Sequence, residues 1–94
     1  LIQLTVKHRD KQVVERGSKK LVQMLQDQLG GWVLGPEFPA ISRIRNFYLM
    51  NILIKFDRQA SPKKIKDYID KCVISLKQEK DFKSCVIRKD VDPI

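Results

Sequence analysis

The sequence predicts an α+β domain of the ferredoxin-like class, a βαββαβ two-layer sandwich with a four-stranded antiparallel sheet and two helices on one face. Three observations support this prediction. Several short runs alternate apolar and polar residues, as half-buried strands do. Two longer stretches repeat apolar residues at helical spacing and begin with residues that cap helices. The chain has 94 residues, 43% of them hydrophobic, so residues 1–94 are expected to form a single domain with one modest core.

The first strand and the first helix occupy the amino-terminal third of the chain. Residues 1–8, LIQLTVKH, alternate in polarity and predict a strand. Its buried side is predicted to consist of Ile2, Leu4 and Val6. Asp10 can cap the helix that follows, Gly17 should weaken that helix by ~1 kcal/mol relative to alanine, and Gly30 should end it. The apolar stripe of this helix is predicted to be Val14, Ser18, Leu21, Val22, Leu25 and Leu29.

The other elements follow in the same order as in the ferredoxin-like fold. Residues 32–39, WVLGPEFP, predict a short strand that glycine and proline interrupt, which is typical of a sheet edge. Residues 47–56, FYLMNILIKF, carry apolar side chains on both faces and predict a central strand beside the first one. Ser61 as N-cap and Pro62 as the first helical residue begin the second helix. Residues 85–94 are expected to supply the last strand.

The charge of the chain favours a polyanionic partner. Lysine and arginine number 19 against 11 acidic residues, which gives a net charge of +8 and an isoelectric point near 9.7. A basic excess of this size gathers phosphates, so nucleic acid is the expected partner, with a basic domain that has no such partner as the alternative. No apolar run approaches the ~18 residues that a membrane span needs, so no membrane partner is expected.

The cysteines indicate the compartment of the protein, and the first residues indicate whether the chain is a fragment. Cys72 and Cys85 lie among apolar residues and are interpreted as buried free thiols, which fits a reducing compartment such as the cytoplasm. The chain begins without methionine inside a strand-like pattern. It is therefore expected to be a fragment of a longer chain, and the resemblance given below implies that it is the C-terminal part.

The residues predict no catalytic site, no metal site and no cofactor. The chain has no glycine-rich phosphate loop, and His8 has no second histidine or reactive cysteine nearby in sequence. The acidic residues are scattered. Asp90 and Asp92 share a strand face, but a solvated terminus explains them better than a metal pair does.

Three groups of basic residues are candidates for binding an anion. The first group, on the outer face of the first helix, is Lys11, Arg16, Lys19 and Lys20. The second is Arg43 and Arg45, which alternate with Ile44 and are therefore predicted to point to one face of a strand or hairpin. The third group, at the start of the second helix, is Lys63, Lys64 and Lys66. Cations oppose the helix dipole there, which suggests an acidic peptide or another anion, with a solubilising lysine face as the alternative.

The open face of the predicted sheet favours a protein partner over RNA. Its two central strands are predicted to present Gln3, Thr5 and Lys7, and Leu49, Asn51 and Leu53. No aromatic residue is among them, which argues against the RNA-recognition-motif mode of base stacking. Leu49 and Leu53, if exposed, are expected to dock on protein.

The order of several short motifs resembles a known family. Residues 33–36 read Val–Leu–Gly–Pro, and residues 43–45 form a basic–apolar–basic triplet before Tyr48 and a strongly apolar strand. The chain then closes on Asp–Val–Asp–Pro at 90–93. This order is similar to that of the C-terminal domain of primosomal protein N′, the bacterial replication-restart DNA helicase, over most of the chain. Many members have Arg–Tyr–Arg–Trp–Gln where residues 47–51 here read Phe–Tyr–Leu–Met–Asn.

The resemblance implies roles for the parent chain and for this domain. The parent would be an ATP-dependent DNA helicase of 3′ to 5′ polarity that acts at stalled forks, with its ATP, magnesium and zinc sites outside residues 1–94. The domain would be a noncatalytic, ribosomal-S10-like module that packs on the helicase core and helps to bind forked or single-stranded DNA. The acidic tail of single-stranded DNA-binding protein is a family partner, and residues 63–66 are expected to border its pocket.

These observations lead to one hypothesis and two alternatives. The leading hypothesis is a DNA-binding and docking module in which Arg43, Arg45, Tyr48 and the basic group of the first helix hold DNA, chiefly through its phosphates. The first alternative is a structural interaction domain whose open face packs on the helicase core or on a partner protein. The second is a ribosomal-S10-like RNA-binding protein, which would prefer structured RNA.

Overall fold

The structure is a computed structural model that describes residues 1–38, 43–57 and 59–91. The elements in chain order are β1 (Ile2–His8), α1 (Lys11–Leu29), β2 (Val33–Glu37), β3 (Arg43–Ile44), β4 (Phe47–Ile54), α2 (Pro62–Lys77) and β5 (Val86–Val91). Single turns of 3₁₀-helix lie at Gly30–Trp32 and Lys80–Phe82. The predicted last strand extends to residue 94, and its final three residues lie outside the described part of the chain.

The sheet confirms the predicted ferredoxin-like topology. Four strands follow the order β2-β4-β1-β5, every pairing is antiparallel, and the short β3 pairs with the start of β4. The first strand and the FYLMNILIKF strand are therefore central, as predicted. Both helices pack over one face, and no helix of residues 1–38, 43–57 and 59–91 covers the other face, which we call the open face.

The core lies between the sheet and the two helices. Alternation places the even-numbered residues of the central strands inward, where their side chains are buried. The fully or nearly buried apolar residues include Ile2, Leu4, Val6, Val14, Leu21, Val22, Leu25, Met50, Ile52, Ile54, Ile65, Ile69 and Leu76. The predicted stripe of the first helix is confirmed, except that Leu29 is only partly buried. On the second helix the buried stripe is Ile65, Ile69, Cys72 and Leu76, with Val73 partly buried.

The helix ends are set by the residues that the sequence indicates. The Asp10 carboxylate accepts a hydrogen bond from the backbone N–H of Gln12 at 2.9 Å, so it caps α1. Gly30 ends that helix with a φ of 53°. The Ser61 hydroxyl accepts from the backbone N–H of Lys64 at 3.4 Å, and Pro62 is the first residue of α2.

Gly17 has a packing role that the sequence does not reveal. It is buried in the middle of α1, where the ring of Phe82 packs against it. A Cβ atom at Gly17 would lie 3.2 Å from the Phe82 Cδ1 atom. The missing side chain therefore admits the buried Phe82 ring, which offsets the cost of a glycine in a helix.

Gly35 occupies a bulge in the edge strand β2. Its φ is +106°, and the register with β4 shifts between Leu34 and Glu37. A Cβ atom at this position would lie 3.0 Å from the backbone oxygen of Asn51 on β4. Both the backbone conformation and the close approach of β4 require glycine here, which confirms the predicted interrupted edge strand.

Tyr68 joins the two helices and predicts a stability change at high pH. Its hydroxyl donates to the backbone oxygen of Met24. Burial, with a smaller effect of Cys72, raises the pKa of Tyr68 from 10.0 to about 12. The raised pKa means that folding favours the neutral phenol, so this contribution to stability is complete below pH 10 and is lost as the pH rises toward about 12.

We expect the free energy of unfolding to fall more steeply between about pH 10 and 12 in the natural chain than in a Tyr68→Phe variant. The difference should be on the order of 1–2 kcal/mol, because a partly buried group feels some solvent screening. Urea unfolding at several pH values measures it. Burial also raises the pKa of Cys72 and of Cys85, and the hydrogen bond with Tyr68 lowers the pKa of Cys72. Both proteins therefore carry Cys72→Ala, and Cys85 remains in both, so that the comparison isolates the phenol. Parallel pH curves for the two proteins would contradict the prediction.

Candidate nucleic-acid interface

A two-residue hairpin turn places the predicted arginine pair. Arg45 and Asn46 connect β3 to β4 with φ values of 51° and 69°, the signs that a type I′ turn requires. Arg43 lies on β3, whereas Arg45 lies in the turn. The alternation that was predicted to point both arginines to one face therefore ends at Ile44. Arg45 therefore occupies the tip of the hairpin, where its side chain is exposed.

Arg43 is held by two neighbours on the same hairpin. Its Nη2 atom donates to Asn46 Oδ1 at 3.2 Å. Its Cζ atom lies 5.3 Å from the centre of the Tyr48 ring, a cation–π distance. Tyr48 also packs partly against the core. It therefore orients Arg43, and the ring itself is only partly accessible.

Phe47 is an aromatic residue of the open sheet face, which corrects the expectation that this face has none. It shares the alternation of Leu49 and Leu53, and this spacing could have revealed it in the sequence. The Lys7 Nζ atom lies 4.6 Å from the centre of its ring, and the Arg9 Cζ atom lies 5.5 Å from it. Sequence reasoning missed these two cations because their partner is 40 or 38 residues away in the chain.

Together these residues form a basic end of the domain, which we call the hairpin-end cluster. Strand β1 ends there, α1 begins there, and the Lys11 Nζ atom lies 5.5 Å from the centre of the Phe38 ring at the end of β2. The cluster consists of the cations Lys7, Arg9, Lys11, Arg43 and Arg45 and the rings of Phe38, Phe47 and Tyr48. Within residues 1–38, 43–57 and 59–91, none of these five cations forms an ion pair.

The remaining basic residues of α1 are largely committed to partners inside the molecule. Arg16 forms an ion pair with Asp81 at 3.1 Å, and Lys20 forms one with Glu79. Glu79 directly precedes the 3₁₀ turn at Lys80–Phe82, and Asp81 lies within that turn. Lys19 is exposed. The structure therefore separates the predicted first-helix group, because only Lys11 joins the hairpin-end cluster.

The lysines at the start of α2 lie at the opposite end of the domain. Lys63 and Lys64 are exposed and Lys66 is half-buried. A shallow depression of about 210 Å³ opens beside them, between the end of α1 and the start of α2. It is lined by Gln28, Leu29, Lys64, Ile65 and Tyr68, and we call it the helix-end depression.

The open sheet face carries two separate grooves, and the predicted docking pair Leu49 and Leu53 is divided between them. The β2–β4 groove, of about 230 Å³, is lined by Gln3, Leu34, Glu37, Asn51 and Leu53. The β1–β5 groove, of about 260 Å³, is lined by Thr5, Lys7, Leu49, Val86, Arg88 and Asp90. Leu49 and Leu53 are both half-buried rather than fully exposed.

The contact between His8 and Ser84 resembles the pairing of a catalytic base with a nucleophile. The backbone N–H of Asp10 donates to His8 Nδ1 at 2.9 Å, so the proton of the neutral ring lies on Nε2. His8 Nε2 and Ser84 Oγ are 2.8 Å apart, and the nitrogen is the donor in that bond. A general base needs an unprotonated nitrogen toward the hydroxyl, so this arrangement does not activate Ser84.

Two further properties concern the described residues. No helix in residues 1–38, 43–57 or 59–91 is both long and apolar enough to cross a bilayer. In the same ranges, histidine, cysteine, aspartate and glutamate side chains form no group of three or more that could hold a metal ion.

The fold and its basic hairpin end define a small ferredoxin-like α+β domain with a candidate surface for a polyanion. Residues 1–94 match the family described as the primosomal protein N C-terminal domain, and the chain belongs to that family. The chain is thus a C-terminal module of a primosomal protein, with a part in replication restart, and the resemblance seen in the sequence is confirmed. A search among curated proteins found no match.

Proposed function

We propose that this domain binds forked or single-stranded DNA through its phosphates at the hairpin-end cluster. The observation that carries the proposal is the concentration of five cations at one end of the domain, none of which forms an ion pair within the described residues. Three rings hold four of these cations at cation–π distance, so their positions are partly fixed before DNA arrives. Arg45, the fifth cation, lies in the turn between β3 and β4.

The arrangement favours phosphates over base readout at this end. The Phe47 and Tyr48 rings already carry cations, so a base that stacked there would have to displace Lys7, Arg9 or Arg43. Phosphate contacts set affinity and salt dependence but carry no sequence information. We therefore expect DNA binding with low sequence specificity. If the domain preferred structured RNA to forked DNA, that result would favour the ribosomal-S10-like alternative.

Binding is measured by the fluorescence anisotropy of a labelled fork titrated with the 94-residue chain at about 50 to 200 mM salt. Five phosphate contacts predict a slope of log affinity against log salt of about −4. An Arg43→Glu/Arg45→Glu variant should bind at least about tenfold more weakly and lose about two units of slope. A flat salt response, or no binding by the natural chain at micromolar protein, would reject the proposal.

The matched control is Lys55→Glu/Lys71→Glu, which changes the net charge by the same amount. Lys55 follows the far end of β4, and Lys71 lies on the exposed face of α2. The control should keep most of the affinity, because it leaves the hairpin end intact. Equal losses in the two variants would mean that only the overall charge of the domain matters.

We also propose that the helix-end depression docks an acidic segment, such as the tail of single-stranded DNA-binding protein. Support comes from its apolar floor, formed by Leu29 and Ile65, and from Lys64 at its rim with Lys63 beside it. A Lys63→Glu/Lys64→Glu variant should lose binding to a labelled acidic peptide. The idea fails if the natural chain does not bind that peptide at about 100 μM, since weak docking sites reach roughly that range.

The wider setting of the domain follows from the family resemblance and forms part of the same proposal. The parent chain would be an ATP-dependent DNA helicase of the cytoplasm, with its ATP, magnesium and zinc sites in other domains. The β2–β4 groove, where Leu34 is exposed and Leu53 is half-buried, would pack on the helicase core. Limited proteolysis of the parent chain would show whether this groove is protected there.

A further inference from the structure

The β1–β5 groove lies directly beside the hairpin-end cluster. Lys7 belongs to both, because it contacts the Phe47 ring and also lines the groove. On the sheet, Lys7 stands between Leu49 of β4 and Val86 of β5, and Thr5 stands opposite Arg88. A strand of DNA whose phosphates sit on the hairpin-end cluster would therefore reach this groove without leaving the protein surface.

The groove combines an apolar floor with a cationic rim. Leu49 and Val86 offer aliphatic surface, and Val86 is 51% exposed. Lys7 and Arg88 flank that surface, and the side chain of Arg88 is 77% exposed. An aliphatic surface can pack against the flat face of a base, and flanking cations can donate hydrogen bonds to the phosphates on either side of it.

Two polar groups in the groove suit the edge of a base. The Asp90 carboxylate lies 3.5 Å from Arg88 Nε in an exposed ion pair, which leaves it further acceptor capacity. It could accept a hydrogen bond from an exocyclic amino group. Thr5 Oγ1 donates to Asn51 Oδ1 at 3.1 Å and keeps its own lone pairs for a donor. The volume of about 260 Å³ is smaller than pockets for drug-sized ligands and suits one base.

We propose that the β1–β5 groove takes one unpaired base of a DNA strand, a proposal that rests on the proposed DNA binding at the hairpin end. Charge favours an anionic occupant over a basic or neutral peptide edge, and DNA already bound at the adjoining hairpin-end cluster is the anion that continues into the groove. Unlike the cation-covered rings of the cluster, the floor of the groove is open to a base. The site would thus add a preference for unpaired strands to an otherwise phosphate-based interaction.

The test compares two single strands of equal length, one with bases and one made entirely of abasic sites. Both carry the same phosphates, so contacts to phosphates alone predict equal affinity. A base packed on Leu49 and Val86 predicts about tenfold tighter binding of the base-bearing strand, which is the effect of removing roughly 50 Å² of apolar surface from water. Val86→Asp should reduce that ratio to about twofold or less.

The matched control is Val91→Asp on the same strand. Val91 is also exposed, lies on the other face of β5, and takes the same change of charge. This control should keep the tenfold ratio, and urea unfolding midpoints should show that both variants fold. If both strands bind equally and with the same salt dependence, the groove proposal is overturned while the hairpin-end proposal stands.

Other outcomes are equally decisive. If neither strand nor the fork binds, both proposals fail together. If Val86→Asp leaves the ratio unchanged, the base preference arises elsewhere and the groove is not its site. If Val86→Asp leaves the ratio unchanged but disrupts packing on the helicase domains of the parent chain, the occupant is protein rather than DNA.

Discussion

An Ile69→Ala variant is expected to lose about 3 kcal/mol of folding free energy, the largest effect predicted for a single side chain here. Ile69 is completely buried on the face of α2 that meets the sheet. Alanine removes its transfer free energy and leaves a cavity that the surrounding apolar side chains fill only in part. A domain of this size has only about 5–15 kcal/mol of stability in total.

Ile74→Ala provides the matched comparison. It makes the same chemical change on the same helix, but Ile74 is 59% exposed. Its effect should stay within about 0.5 kcal/mol, and alanine's better helix propensity offsets part of any loss. Urea unfolding of both variants measures the difference. A loss at Ile74 as large as that at Ile69 would mean that α2 is not oriented as described.

Gly35→Ala is expected to cost about 2–3 kcal/mol. The substitution places a side chain on a backbone with a φ of +106° and brings its Cβ atom to 3.0 Å from the Asn51 oxygen. Either β2 separates from β4 or the bulge changes register. Phe38, whose ring lies under Lys11 of the hairpin-end cluster, follows this bulge, so DNA affinity should also fall, although no cation has been removed.

Gly31→Ala is the control for that substitution. A Cβ atom at Gly31 would have no heavy atom within 4 Å, and its φ lies outside the left-handed region. We therefore expect a change of less than about 0.5 kcal/mol. The unfolding midpoints of the two variants show whether stability is lost only at Gly35 or whenever a glycine in this region is replaced by alanine. Equal midpoints for both variants would contradict the described bulge.

Much of the fold follows from local patterns in the sequence. The alternation of polarity in 1–8, the long apolar run in 47–54 and the caps Asp10 and Ser61 determine the elements and much of their burial. The topology then places β1 and β4 at the centre. These features depend on neighbours close in the chain, where residue periodicity and cap chemistry are reliable guides.

The candidate site depends more on contacts between distant segments. Arg16 and Lys20 look available in the sequence, but acids 65 and 59 residues away pair with them. Lys7 and Arg9 belong to the site only because β1 lies beside β4. Phe82 lies in a short stretch of the sequence without helical or strand periodicity, yet it is buried against Gly17. No periodicity within one segment encodes such pairings, since they arise from how the segments pack.

The tip of the hairpin carries a residue that folding alone does not favour. Arg45 holds a φ of 51°, a conformation that asparagine and glycine adopt more readily than a residue with a long side chain. A chain selected for stability alone would be expected to place one of those two residues at this turn. If Arg45 binds DNA as proposed, the arginine represents a trade-off, in which a charge is kept at the turn and the domain folds slightly less well.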